Sequence, residues 1–145
     1  MNNVVFSHKS DDWATPKYIY EQAMKLGCYD PFPFCSEGIE GLFCPWRKIN
    51  FVNPPYSLVK ETVNKAFLEK AQGNYSVLLV PSRTDQKWFS DCVNGGCRIV
   101  FIRGRLAFNE KGNAPFPSVL IYFDESPFNV SCVERENIRI EFVIK

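Results

Sequence analysis

The tetrad Asn53-Pro54-Pro55-Tyr56 is the sharpest chemical feature of the chain, because it follows directly on an apolar run, Ile49-Asn50-Phe51-Val52. The side-chain oxygen of Asn53 and the backbone oxygen of Pro54 would make two neighbouring acceptors. An amine conjugated to an aromatic ring is a poor nucleophile, since its lone pair is delocalised. Acceptors set against its two hydrogens localise that lone pair toward an electrophile. Consecutive prolines fix φ, so the acceptors stand ready before a substrate arrives. Tyr56 adds an aromatic face on which a planar base can stack. The plainer interpretation is a rigid proline turn with Ser57 capping the next helix. A strand feeding the tetrad and a helix leaving it favour the chemical one.

These residues need a frame that presents them on one side. Ser57 is expected to cap a helix of about Leu58–Gln72, in which Leu58, Val59, Val63, Ala66 and Phe67 recur at helical spacing. Gly73-Asn74 ends it. Ser76–Val80 is a continuous apolar strand of the kind buried on both faces, and Pro81-Ser82-Arg83 is its exit loop. Thr84 begins a helix that carries Trp88 and Phe89 and breaks at Asn94-Gly95-Gly96, before a strand at Arg98–Ile102. Upstream of the tetrad, Asp12 or Thr15 can cap a helix that starts near Pro16 and stops at Gly27. Cys28-Tyr29-Asp30 reads as a strand end, and residues 31–48, with three prolines and two glycines, read as loop with one helical turn near Ser36–Leu42.

The alternation of strand and helix predicts an α/β fold with a mixed, mostly parallel sheet flanked by helices. Beyond Gly104 the strands Leu106–Phe108, Ser118–Phe123 and Ile138–Ile144 lack helices between them and should extend the sheet in antiparallel fashion. Ligands of such sheets sit beyond the carboxyl ends of the strands. Asp30, Asn53, Ser82 and Arg103 all fall there, so four segments aim polar groups at one edge.

The length, 145 residues, fits a single domain, with residues 1–12 polar and loosely held. The formal charge of +1 is too small for a general electrostatic grip on nucleic acid, so any such contact needs a local basic patch. No pair of the six cysteines has zinc-knuckle spacing and His8 is the only histidine, so no metal site is expected. The amino terminus has no charged-then-apolar leader, and no apolar run approaches the about 20 residues that span a bilayer. The cysteines therefore read as reduced, mostly buried thiols of a cytoplasmic protein.

Four patches in order resemble the phage-type family of DNA N6-adenine methyltransferases: Trp13-Ala14-Thr15-Pro16, Asp30-Pro31-Phe32, Asn53 to Tyr56, and Val80 to Phe89 followed by Arg103 to Phe108. The resemblance implies a reduced Rossmann-like methyltransferase fold. It also implies an enzyme that moves a methyl group from S-adenosylmethionine to the N6 amine of adenine in double-stranded DNA, in a host cell's cytoplasm if the source is viral. Asn53, Pro54, Pro55 and Tyr56 would be catalytic. Trp13, Thr15, Pro16, Asp30, Pro31 and Phe32 would bind the cofactor, with the helix start near its carboxylate and Asp30 on its ammonium group. Ser82, Arg83 and Thr84 would border the base pocket or the DNA backbone, and Arg103, Arg105 and Lys111 would grip phosphates. For each there is a simpler role: turn residue for Asp30, core for Phe32, surface charge for the basic residues. The target base must leave the duplex stack, because its amine is inaccessible inside it.

One departure stands out. Asp30 is followed by Pro33-Phe34-Cys35-Ser36-Glu37-Gly38 and not by a Gly-x-Gly element, and only residues 31–52 separate it from the tetrad. A full crossover unit takes about 30 residues, so strands that would carry an acidic ribose contact have no room. Glu37 or Glu40 could substitute. This shortening leaves open a non-catalytic relative that binds DNA or a partner. The loop chemistry would equally suit a cytosine amine or a protein amide. So small a domain has little surface for reading bases, which a homodimer or lax specificity would accommodate.

Overall fold

A computed structural model describes residues 14–33, 39–106 and 114–129, and the backbone of residues 139–144. The elements are α1 (Lys17–Lys25), a single turn α2 (Glu40–Phe43), β1 (Ile49–Val52), a 3-10 turn (Tyr56–Leu58), α3 (Val59–Ala71), β2 (Tyr75–Pro81), α4 (Lys87–Asn94), β3 (Arg98–Arg103), β4 (Ser118–Phe123) and β5 (Arg139–Ile144). They form one five-stranded sheet of order β1-β2-β4-β3-β5. Residues 107–108, the greater part of the strand expected at Leu106–Phe108, lie outside the described residues, and Leu106 itself follows β3 as a buried loop residue.

The strand directions agree with the alternation signal, but the pairing does not. β1 and β2 pair in parallel, whereas β4 pairs antiparallel with both β2 and β3, and β5 antiparallel with β3. β1, β2 and β3 therefore all run the same way, as expected, yet β4 is inserted between β2 and β3. Most neighbouring pairs are antiparallel, which corrects the expectation of a mostly parallel sheet extended at its edge by the later strands. The physical reason lies in β4 itself. All six of its residues are buried, and a strand covered on both faces belongs in the sheet interior.

Alternate side chains of β2 feed two cores. Leu78 and Val80 pack with Val59, Val63 and Ala66 of α3 and with Trp88, Phe89 and Cys92 of α4. Val77 and Leu79 pack on the other face with Ile19 and Ala23 of α1, and with Leu106, Ala114 and Phe128. The sheet is thus covered by helices on both sides, and a period of two along the strand is what splits its side chains between them.

Helix starts differ from the expected caps. The residue before α1 is Pro16, and no side chain caps the helix. Ser57 lies inside the 3-10 turn, and α3 begins after Leu58 without a side-chain cap. α4 begins at Lys87 rather than Thr84, because residues 84–86 form a turn in which the Gln86 amide donates to the Arg83 carbonyl at 3.1 Å.

Candidate active site

β1 ends at Val52, and the tetrad turns away from the sheet at its carboxyl edge. Asn53, Pro54 and Pro55 are buried, and the Pro55 carbonyl accepts from the Leu58 amide at 2.9 Å, closing the 3-10 turn. Asn53 is 7% exposed. Its Nδ2 donates to the Thr15 hydroxyl at 3.0 Å. Thr15 is one of the two expected caps of α1, with Asp12; its oxygen instead fixes the amide of Asn53 across 38 residues of sequence. That bond joins the start of α1 to the loop.

Asp30 reaches the same edge by a second route. Tyr29 bridges Asn50 in parallel: its amide donates to the Ile49 carbonyl and its carbonyl accepts from the Phe51 amide, both at 2.9 Å. Of the strand end expected at 28–30, only this isolated bridge at Tyr29 forms. Asp30 Oδ1 accepts from the Phe32 amide at 2.9 Å, the side-chain turn that Asp-Pro sequences favour. Burial, together with the nearby Asp30 charge, raises the Tyr20 hydroxyl above its usual range. Asn53 and Thr15 thus meet directly, and Asp30 follows the Tyr29 bridge to the same edge of the sheet.

Phe32 is a core residue. It is buried against Trp46 and the α3–α4 core, and its ring lies so close to Gly41 that a Cβ there would stand 2.5 Å from it. Pro31 is buried beside it. Trp13 and Lys111 fall outside the described residues. Glu40, suggested as a substitute ribose contact, is exposed at the start of α2, and Glu37 also falls outside the described residues.

β2 and β4 bring the next part together. The Ser82 amide donates to the Pro117 carbonyl at 2.9 Å, which places Phe116 beside the loop. Tyr56 and Phe116 meet edge to face, with ring centroids 4.8 Å apart and planes at 85°. These rings wall a cleft of about 540 Å³ that Trp88 completes and that Lys60, Arg83 and Lys87 rim. Of the three residues expected near a base pocket, Arg83 lines this cleft; Ser82 is half-buried behind it and Thr84 is exposed in the following turn. Arg103 and Arg105 are exposed at the same end of the sheet, but β4 lies between β3 and β2 and separates them from the loop. The residues not anticipated as site residues are Lys60, Lys87, Trp88 and Phe116. Lys60 and Lys87 carry a usable signal, since each stands in the first turn of a helix that leaves this edge. Nothing local marks Phe116.

A second, larger cleft of about 720 Å³ lies at the opposite end of the sheet, between Tyr75, Arg98, Tyr122 and Asp124. It is far from the tetrad along the strands. Among the described residues no cluster of His, Cys, Asp and Glu is placed to hold a metal ion, and no helix is long and apolar enough to cross a membrane. Cys28, Cys92 and Cys97 are buried free thiols. A hydrogen bond with Cys97, together with burial, pushes the Cys92 thiol up.

No curated protein and no solved structure shows significant similarity to the chain. A family model described as DNA N-6-adenine-methyltransferase (Dam) matches residues 33–138. That span contains the tetrad, Arg83, Lys60, Lys87 and Phe116; Asp30 lies three residues before it and Thr15 eighteen. It covers well over half of the 145 residues, and the chain belongs to the DNA N-6-adenine-methyltransferase (Dam) family.

Proposed function

We propose that this chain transfers a methyl group from S-adenosylmethionine to the N6 amine of adenine in double-stranded DNA, with Asn53 to Tyr56 as its catalytic loop. The observation that carries this is the tethered amide of Asn53. Its Nδ2 end is held by Thr15, so the Oδ1 end is the one offered to a substrate amine. The Pro54 carbonyl follows on the same stiff corner as a second acceptor. Both act without reorganising, which is how preorganised dipoles lower a barrier. Tyr56 supplies a ring for stacking the extruded base and offsets part of the few kcal/mol that unstacking costs.

The donor set near α1 fits the amino-acid end of the cofactor. The Asp30 carboxylate is an acceptor-only group with a negative charge, which suits an ammonium group. The first amides of the nine-residue α1 suit a carboxylate. When bound, S-adenosylmethionine supplies an electrophilic methyl on a sulfonium. What the chain does is hold the amine's hydrogens on two oxygens, orient its lone pair and receive the flat base.

The test is label transfer from methyl-labelled S-adenosylmethionine to duplex DNA, followed by nucleoside analysis, for the wild-type protein and Asn53→Ala. Label is expected in N6-methyladenine, and the variant should lose about 10²–10³-fold in rate, the usual cost of one preorganised polar group. Label in N4-methylcytosine or in protein would overturn the adenine assignment. A folded Asn53→Ala protein with near-normal rate would overturn the role of the loop. Calorimetry showing no saturable heat with S-adenosylmethionine would favour a non-catalytic relative, as the short stretch between Asp30 and the tetrad suggests.

A further inference from the structure

The cleft beside the loop has a chemistry of which the methyl-transfer reading uses only the Tyr56 ring. Its wall is aromatic, from Tyr56, Phe116 and Trp88, and its rim is cationic, from Lys60, Arg83 and Lys87. At about 540 Å³ it is the size of a site for one nucleotide-sized ligand. Asn53 does not line it, whereas Tyr56 belongs to both the loop and the cleft. A base with its amine at Asn53 and its ring on Tyr56 leaves Phe116, Trp88 and the three cations without a role. Flat rings beneath a ring of cations are the arrangement that holds single strands, bases on the rings and phosphates on the cations.

We infer that this cleft is a subsite for the nucleotide adjacent to the target adenine on the same strand, held unpaired, with its base against Phe116 and Trp88 and its phosphates on Lys60, Arg83 and Lys87. This rests on the proposed function for the identity of the substrate, and it adds that the enzyme engages a locally single-stranded stretch rather than one extruded base. The cations are free enough to serve. Arg83 pairs with Asp85 at 3.3 Å and Lys87 with Asp91 at 2.9 Å, with side chains 53% and 87% exposed. Exposed pairs of this kind contribute little and exchange readily for phosphate. A chain of net charge +1 concentrates three of its cations at this cleft, which is the local patch that its overall charge does not provide.

Fluorescence anisotropy of a labelled single-stranded oligonucleotide, titrated across salt concentrations, tests this. Lys60→Gln/Lys87→Gln should flatten the slope of log affinity against log salt by about 0.7 per lost phosphate contact. Phe116→Leu should weaken binding several-fold while leaving the slope unchanged. A wild-type protein that methylates DNA, with the double variant keeping the wild-type slope, would overturn the subsite and leave the loop assignment standing. Lysine-dependent binding of single strands without any methyl transfer would support the subsite and overturn the loop assignment. No binding of single strands by the wild-type protein would overturn the subsite.

Discussion

Two regions meet at the carboxyl edge of this sheet, and they are built differently. The loop side, from β1 through α4, hangs on continuous ladders: β2 alone pairs along four residues with β1 and along six with β4. The α1 side, from Thr15 to Arg47, has no strand ladder. Among the described residues it is held by an isolated bridge at Tyr29, a hydrogen bond from Asn53 to Thr15, the bonds of the Asn50 side chain to the Arg47 backbone, and side-chain packing: Ile19 and Ala23 against Val77 and Leu79, Phe32 and Trp46 in the α3–α4 core. The family match begins within the α1 side, at residue 33, and leaves Thr15 and Asp30 outside. A reacting group needs rigid placement, whereas a region that admits a large cofactor can be attached by fewer, separable contacts. Changes aimed at those contacts should therefore disturb the α1 side while sparing the sheet.

Gly41 is the most sensitive of them. Its carbonyl accepts from the Trp46 indole at 2.9 Å, and its missing Cβ is the space that the Phe32 ring occupies. Gly41→Ala forces a carbon to within 2.5 Å of a buried ring. Overpacking of this kind costs about 1–3 kcal/mol. Urea unfolding should show a lower midpoint, and S-adenosylmethionine affinity should fall more than affinity for single-stranded DNA. Equal losses of both would show that the two sides are one unit and would end the comparison.

How much of this was visible in the sequence follows the same division. The loop was legible because two prolines end a strand whatever the rest of the chain does, and the boundaries of β1 and β4 were read correctly from their apolar runs. Strand order was not legible. Alternating strand and helix specifies direction, and β1, β2 and β3 do run together, but nothing local says that β4 enters between β2 and β3. The fully apolar run Val119–Phe123 carried a hint, since an edge strand would alternate. Like Asp12, Thr15 before Pro16 carries a local signal for a helix cap. Its actual partner is 38 residues away, and only tertiary structure brings that partner within reach. The same holds for Phe116, which is set beside Tyr56 by the pairing of β2 with β4.

Glu69 sharpens the comparison through pH. Its carboxylate accepts from Asn74 at 2.9 Å and Lys65 at 3.2 Å, and the Trp46 backbone also donates to it. Burial alone would raise its pKa, but these donors and the Lys65 charge outweigh burial and hold it below the usual value. A depressed carboxylate pKa stabilises the fold above the unfolded pKa, and that stabilisation is lost as pH falls through the folded one. The window therefore opens just below about 4.3, the unperturbed glutamate value. Wild-type stability should drop there more steeply than that of Glu69→Gln, when urea midpoints are followed from pH 6 downward. Parallel curves for the two proteins would show that Glu69 does not tie the 39–48 segment to α3.

The smallest effect should come from Thr15, and it is the most pointed. Thr15→Val keeps the shape and removes the oxygen that holds Asn53 Nδ2. One hydrogen bond is worth about 1 kcal/mol net, so stability should change little, and the methyl-transfer rate should fall by about five- to tenfold. The fall should appear in kcat rather than KM, because Asn53 still exists but samples orientations that turn its oxygen from the amine. Thr15→Ser restores the hydroxyl and should restore the rate. A valine variant with unaltered kcat would mean that the diproline corner alone orients the amide, and that the α1 side serves the cofactor without acting on the loop.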